Sequence, residues 1–394
     1  MLGLTRVPPK VYDFLFRFKP SFRCPQARHF VLFCWLLTAL CLEQGNGTLT
    51  GLHRQLPPRL KYWTVLRLVR SGWWSEQELL RAISADVLVT LPPPADGRLY
   101  LVGDLTLKDK RGAHQPLGRV TRHSQYAAYS FGLEVLLVLA CWGHYRIPVG
   151  CVVLNPAEQG AQNQHFRRLL REFPLPPWVR EVIVVADAGF ASSATFRQLE
   201  QHGYKYVFAA ARTRKFTDGK SLRDFVRHLP KSCYRRVKTT KPDGRRRDYW
   251  IHVSRKVVHG IGDVTIILSK TRRNTGPKQT KIIVTNLDAA TPGTLLSIYA
   301  RRWGVELTFK ELKSGLHLGE MQVTKEAERV RRGVGFSVLA YLLLVKLYGA
   351  ETETPAQFSI FRFKQQFLVE VCQAQHNGTE QKWQRKFDKL RLAA

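Results

Sequence analysis

The pattern of apolar and polar residues predicts that the chain changes from helices to strands near residue 95. Upstream, apolar residues fall into short helical stretches, of which Phe30–Leu42 is expected to be a buried helix. The run Pro92–Gly97 is typical of a turn and marks the boundary. Beyond it, Arg98–Thr106 follows the period of two that is typical of a strand, and Glu181–Asp187 is an apolar strand that ends in an acid.

The order of the segments after this boundary predicts an α/β fold. Three strands, a helix, a strand, a helix and a strand follow one another: Arg98–Thr106, Tyr126–Trp142, Tyr145–Asn155, Glu158–Phe173, Glu181–Asp187, Ser192–His202 and Tyr204–Ala211. An antiparallel meander followed by parallel crossovers is the ribonuclease-H-like arrangement. We therefore expect a ribonuclease-H-like mixed sheet with flanking helices, preceded by an α-helical N-terminal domain.

Composition divides the chain into three predicted regions. Residues 1–94 form short helices with basic faces, which suits either a DNA-binding helix-turn-helix-like unit or a plain helical bundle. Residues 95–350 are the predicted catalytic domain, which contains a β-rich basic insertion at 212–285. Near its end, the apolar helix Val330–Tyr348 is expected to pack on the sheet, and residues 351–394 follow as a basic helical region.

The charge of the chain predicts a polyanionic partner. Sixty-two Lys and Arg residues against 30 Asp and Glu give a net charge of +32, and the basic residues run along the whole chain. Nucleic acid is the expected partner, because many dispersed phosphate contacts release many counterions. The insertion carries two basic clusters, which are expected to contact phosphates unless they are only a solvated surface: Arg245, Arg246, Arg247, Arg272 and Arg273.

Cysteine usage and apolar run lengths bear on the compartment. Seven cysteines are scattered without a C-x-x-C pair, which indicates a reducing compartment and no structural zinc. The run Phe30–Leu42 is too short to span a bilayer, so no membrane contact is expected. We expect a cytoplasmic protein of a bacterium, associated with the nucleoid when it is bound to DNA.

Four residues with chemistry-bearing side chains are spaced by three, four and seven positions: Tyr299, Arg302, Glu306 and Lys313. On one regular helix they would fall within an arc of about 60°. An acid flanked by two bases and a phenol suits a phosphodiester, because the carboxylate holds a divalent metal and the cations hold phosphates. The alternative is a solvated helix face on which Arg302 and Glu306 form an ordinary ion pair.

Two further acids lie on predicted strands. Asp104 is in the middle of one strand and Asp187 ends another, and a buried carboxylate is costly unless it is paired or binds a metal. If these strands are neighbours, both acids converge with Glu306, and three carboxylates suit two Mg²⁺ or Mn²⁺ ions. The alternatives are a turn or helix-cap role for Asp187 and an ion pair of Asp104 with Lys108 or Arg119.

The chain resembles the DDE-type transposases of bacterial insertion sequences. Its residues 299–313 match, at every spacing, the Tyr-x2-Arg-x3-Glu-x6-Lys signature around the third acid of one large group. Residues 103–106, followed by Lys108 and by residues 110–112, resemble the first-acid region, and residues 186–190 resemble the second. The resemblance covers about residues 95–350. It departs at Ala188, where the family often has an arginine, and this puts a phosphate role there in doubt.

The resemblance implies a transposase whose partner is double-stranded DNA. It would bind terminal inverted repeats, cleave the DNA strands and join them to target DNA, and at least a homodimer would bring two ends together. It implies that Asp104, Asp187 and Glu306 hold two Mg²⁺ or Mn²⁺ ions, and that Arg302, Lys313 and Tyr299 contact phosphates. Trp303 would stack on an unpaired or flipped base, or else pack in the core with Leu307. Two alternatives remain open: a nuclease of the same fold that only hydrolyses, and a non-catalytic DNA-binding protein descended from a transposase.

Overall fold

The computed structural model describes residues 4, 6–23, 27–70, 73–110, 115–122, 129–240, 246–288, 290–321 and 326–391. The strands are β1 (Arg98–Asp109), β2 (Gly118–Arg122), β3 (Tyr129–Trp142), β4 (Tyr145–Val153), β5 (Glu181–Ala186), β6 (Lys205–Ala209), β7 (Arg235–Thr240), β8 (Arg246–Val258), β9 (Gly262–Lys270) and β10 (Lys281–Thr285). The α-helices are α1 (Pro9–Phe16), α2 (Ala27–Leu42), α3 (Leu49–His53), α4 (Tyr62–Arg70), α5 (Glu76–Thr90), α6 (Ala161–Glu172), α7 (Ser193–Gln201), α8 (Leu222–His228), α9 (Pro292–Ala300), α10 (Trp303–Lys310), α11 (Ala327–Tyr348) and α12 (Ile360–Arg391).

Contacts divide the described residues into two units. A helical unit draws on Met1–Thr90, Lys110–Leu117 and Lys310–Ala394, and a sheet unit draws on Leu91–Asp109 and Gly118–Phe309. All ten strands lie in one mixed sheet of the sheet unit.

The sheet has the predicted ribonuclease-H-like order. Strand β1 pairs antiparallel with β3 and parallel with β5, β3 pairs antiparallel with β4, and β5 pairs parallel with β6. These five strands reproduce the predicted meander and crossovers, so the fold prediction is confirmed. The short strand β2, which pairs with β3, was not predicted, because five residues beside a loop carry too little periodicity to stand out.

One glycine allows a helix to approach the centre of the sheet. A Cβ atom added to Gly103 of β1 would lie 2.3 Å from the ring of Phe166, which α6 buries completely against this face. Because successive strand residues point to opposite faces, Asp104 is directed to the other face. On that other side, α9 contacts β5 and β6.

The predicted insertion extends the same sheet. Its strands continue from β6 in the order β10, β9, β8 and β7, each antiparallel to the next. The region also contains α8, which begins after the cap residue Ser221 and which the sequence interpretation missed because it covers only two turns. Of the basic residues predicted to contact phosphates, Arg246 and Arg247 therefore lie on this continuation of the central sheet, and Arg272 and Arg273 lie in the turn after β9.

The prediction of one regular helix through residues 299–313 was wrong. Helix α9 ends at Ala300, and a tight turn follows in which Arg301 N donates to Ile298 O and Arg302 N donates to Tyr299 O, at 3.0 and 3.1 Å. The turn coincides with two contacts to β1: Arg301 lies 4.1 Å from the centre of the Tyr100 ring, and Arg302 binds Asp104. After α10, the backbone widens into a π-helical turn over Glu311–Gly315.

The helical unit is organised around α2 and α11. Helix α2 is buried as expected, but the prediction that α11 packs on the sheet was wrong, since its partners are α5, α2, α4 and α12. Every residue of α11 from Gly333 to Val345 is buried, so this part of the helix has no exposed face, and periodicity alone does not indicate which layer it packs against. The span Ala327–Glu351 is long and apolar enough to cross a membrane, although 83% of its most apolar window is buried inside the protein.

Candidate active site

Strand register brings Asp104 and Asp187 to the same level of the sheet. Gly103 of β1 pairs with Ala186 of β5, and the two acids are the next residues on these parallel strands. Neighbouring strands lie about 4.8 Å apart, so the convergence that the sequence predicted for the two acids is present at the backbone level.

The Asp104 carboxylate is held by a charged partner. Arg302 donates through Nη1 to Asp104 and through Nη2 to Glu306 Oε1, the second bond being 2.7 Å long. The Leu105 backbone N–H donates to the other Asp104 oxygen at 2.9 Å. Arg302 therefore bridges the first and third acids of the predicted set. The proposed alternative pairing with Arg119 is not observed, since that guanidinium lies 3.2 Å from Glu134.

Burial disfavours the charged form of the carboxylate at the centre of this cluster. The side chains of Asp104 and Arg302 are only 16% and 19% exposed, and Glu306 is 38% exposed. Burial raises the pKa of Asp104, the negative charges of Asp187 and Glu306 raise it further, and Arg302 opposes them. The site therefore concentrates negative charge that a cation relieves.

Asp187 also has a local structural role. One of its carboxylate oxygens accepts a hydrogen bond of 2.8 Å from the Ala188 N–H and caps the short helical turn Ala188–Phe190. The helix-cap role that the sequence left open for Asp187 is therefore observed, and the hydrogen bond holds the carboxylate at the carboxyl end of β5. Within the described part of the chain, no three His, Cys, Asp or Glu side chains are grouped closely enough to ligate one metal ion together.

Tyr299 and Lys281 complete the cluster. Tyr299 is 7% exposed, and among the described residues its hydroxyl has no hydrogen-bond partner. Burial raises the pKa of Tyr299, and the charge of Asp187 adds to the effect. The Lys281 ammonium lies 4.5 Å from the centre of the Tyr299 ring. Sequence reasoning missed Lys281, which it treated only as the first residue of a strand.

Comparison with known proteins places the chain in a family. The family model for the transposase DDE domain matches residues 120–343, which include Asp187 and the motif 299–313 but begin after Asp104. The chain belongs to the transposase DDE domain family. No curated protein matches this sequence. A solved structure with a similar arrangement is a cryo-EM structure of the piggyBac transposase synaptic complex with hairpin DNA, at 10% identity and a TM-score of 0.47, covering 93% of this chain and 76% of that one.

Trp303 is an exposed aromatic side chain beside the acids of this transposase domain. It follows Arg302 directly, and 62% of its surface is exposed, as is 41% of Leu307 one turn later. The alternative in which these two residues pack in the core is therefore wrong. An exposed indole can offer a stacking surface, and the base contact of Trp303 stays a prediction.

The remaining predicted residues belong to other elements than the acids. Lys313 belongs to the π-helical turn and thus to the helical unit, so its predicted phosphate contact stays a prediction. Four arginines of the insertion, which we call the insertion arginines, are exposed: Arg246, Arg247, Arg272 and Arg273. The Arg273 guanidinium stacks 5.3 Å from the centre of the Trp250 ring. Arg245 and residues 111–112 lie outside the described residues.

Proposed function

We propose that this member of the transposase DDE domain family is an active DNA transposase that binds transposon ends, cleaves phosphodiester bonds and transfers the strands to target DNA. One observation carries the proposal: Asp104 and Asp187 stand at the same level of neighbouring parallel strands, and Arg302 links Asp104 to Glu306. The carboxyl ends of parallel strands are the usual ligand-binding edge of such sheets.

The donor set suits divalent metal ions. Carboxylate oxygens are hard ligands that Mg²⁺ and Mn²⁺ prefer, and the cluster already holds one cation, the Arg302 guanidinium, between two of its acids. Asp104, Asp187 and Glu306 would hold two ions. When bound, such ions activate a water or a 3′-hydroxyl on one side of a phosphate and stabilise the leaving oxygen on the other.

The other residues act on the DNA strand. Arg302 presents a planar fork that binds two carboxylates here, and the same fork fits two oxygens of a phosphate. We therefore expect Arg302 to transfer from the acids to a phosphate when DNA enters. The unpartnered Tyr299 hydroxyl donates to a neighbouring phosphate, Trp303 stacks on a displaced base, and Lys313 contacts a flanking phosphate.

The basic surfaces supply affinity that does not depend on sequence. The insertion arginines lie on or beside β8 and β9, and their exposure suits direct phosphate contacts. Joining two transposon ends requires at least two copies of the chain, so we propose a homodimer in the DNA-bound assembly. We also propose that it works in the bacterial cytoplasm, on nucleoid DNA.

The experiment uses duplexes copied from the DNA that flanks the gene, with one end already cut. The wild-type chain with Mg²⁺ is expected to join the cut end to a plasmid, and Asp104→Asn, Asp187→Asn and Glu306→Gln are each expected to lose joining while keeping DNA affinity. Asp263→Asn is the matched control, because Asp263 is an exposed acid paired with Arg255 on the same sheet. Hydrolysis without joining would indicate the nuclease alternative. If a variant of one acid still joins the ends, that acid is not required for the reaction.

A further inference from the structure

The register of the sheet places Lys281 on the same edge and the same face as the acids. The relevant pairs are Gly103 with Ala186, Ala186 with Phe208, and Ala209 with Ile283. Asp104, Asp187 and Ala209 each follow by one residue the level that Gly103, Ala186 and Phe208 share. Ile283 of β10 pairs with Ala209 and is therefore level with the two acids. Since β10 runs antiparallel to β6, Lys281 lies two residues further out, beyond the carboxyl ends of the parallel strands, and on the face of Ile283.

The spacing puts the Lys281 side chain within reach of a DNA strand that lies on the acids. Two strand spacings separate β10 from β5, about 10 Å, and two residues along the strand add about 7 Å. The two components combine to about 12 Å between the backbones of Lys281 and Asp187, and a lysine side chain covers about 6 Å of it. The remaining distance, about 6 Å, is roughly the spacing of successive phosphates on a DNA strand, so the ammonium reaches a phosphate adjacent to the scissile one rather than the scissile one itself.

The surroundings of Lys281 leave its donors available. Its ammonium lies over the Tyr299 ring, and among the described residues it forms no salt bridge, although Asp104, Asp187 and Glu306 all contribute to its electrostatic environment. Burial and Arg302 lower the pKa of Lys281, and the three acids act in the opposite direction. The exposed Lys281 side chain and the buried Tyr299 hydroxyl lie side by side, and the hydroxyl has no acceptor among the described residues.

We propose that Lys281 is a DNA-contacting residue of this site, whose ammonium binds a non-bridging oxygen of the phosphate next to the scissile one, alongside the Tyr299 hydroxyl. The inference rests on the proposed function, because it assumes that DNA crosses the acids. The elements that hold the substrate then include β10, the last strand of the insertion. The phosphate also provides an acceptor for the Tyr299 hydroxyl.

The first measurement compares Lys281→Gln, Lys281→Arg and Lys205→Gln in single-turnover cleavage of an end duplex at saturating protein. Lys205 is the matched control, because it is the first residue of β6 and therefore lies at the opposite edge of the same sheet. We expect Lys281→Gln to cleave about 10- to 100-fold more slowly, the size of one charge-assisted hydrogen bond, and Lys281→Arg to recover most of the loss. Equal rates for Lys281→Gln and Lys205→Gln would overturn the inference.

The second measurement changes the DNA and leaves the protein fold untouched. Single phosphates near the cut are replaced by methylphosphonates, which lack the negative oxygen, and affinity is measured with Ca²⁺ in place of Mg²⁺. Wild type is expected to lose affinity at the phosphate that Lys281 contacts, and Lys281→Gln is expected to be indifferent to that replacement. Identical interference patterns for the two proteins would refute the contact. A wild type that binds DNA but never cleaves it would overturn the proposed function instead, and the affinity comparison would still decide the role of Lys281.

Discussion

Replacing Arg302 by glutamine tests whether its guanidinium occupies the place of a metal ion. In the structure Arg302 is the cation that bridges Asp104 and Glu306, so its removal leaves two partly buried carboxylates without their partner. We expect the variant to be less stable without metal and to bind divalent ions more tightly than the wild type. Both effects have the same cause, the repulsion among acids that Arg302 now screens.

The size of each effect follows from the contacts. Losing two charge-assisted hydrogen bonds at a site where Glu306 is 38% exposed costs about 2 to 3 kcal/mol, which corresponds to a fall in Tm of roughly 5 to 10 °C for a domain of this size. If a divalent ion were held by these acids, a single positive charge remaining about 4 Å away would oppose it by about 2 kcal/mol with water-like screening. Its removal therefore raises the affinity for Ca²⁺ by about 30-fold.

The assay is thermal unfolding with and without Ca²⁺, together with a calorimetric Ca²⁺ titration, both in the absence of DNA. Arg255→Gln is the control, because Arg255 also bridges two carboxylates, those of Asp263 and Asp288 at 2.8 and 2.9 Å, but in an exposed position. We expect little change in that variant. If Arg302→Gln is as stable as the wild type and binds Ca²⁺ no more tightly, the guanidinium does not stand at the metal position and the reasoning fails.

Two further outcomes are expected. Gly103→Ala should lower the free energy of unfolding by at least about 2 kcal/mol in urea unfolding, because the added methyl group meets the buried Phe166 ring. Gly276→Ala, with open space around it, is the control and should be neutral. Equal values for the two variants would show that α6 does not approach β1 as described. Neutralising the insertion arginines should flatten the dependence of log affinity on log salt by about 0.9 for each lost phosphate contact, and an unchanged slope would make them a solvated surface.

The sequence was informative where periodicity and topology rules decide the structure. The apolar strand before Asp187 and the alternation around Asp104 predicted two strands, and the structure shows that they are neighbours, the condition on which the predicted convergence depended. The convergence of the two acids at one edge followed from this topology. The site residues on the sheet were predictable because strand register is set by burial of whole faces.

The sequence was less informative where contacts between distant residues decide which of several similarly stable backbone conformations forms. The break between α9 and α10 coincides with the contacts of Arg301 and Arg302 to β1, which no local propensity encodes. Lys281 was not predicted as a site residue, because its position near the acids depends on the antiparallel pairing of β10 with β6, which joins residues far apart in the chain. The partners of α11 were predicted wrongly because the largely apolar run in its middle does not indicate which layer the helix packs against.

The most direct test of the central claim is single-turnover cleavage of a transposon-end duplex by the wild type and by Asp187→Asn, in Mg²⁺ and in EDTA. Asp187 stands level with Asp104 on the neighbouring strand, so the account requires it for the metal-dependent step and not for binding the DNA. The account predicts cleavage only by the wild type in Mg²⁺, with both proteins binding the duplex equally. Cleavage in EDTA, or cleavage by Asp187→Asn at the wild-type rate, would contradict it.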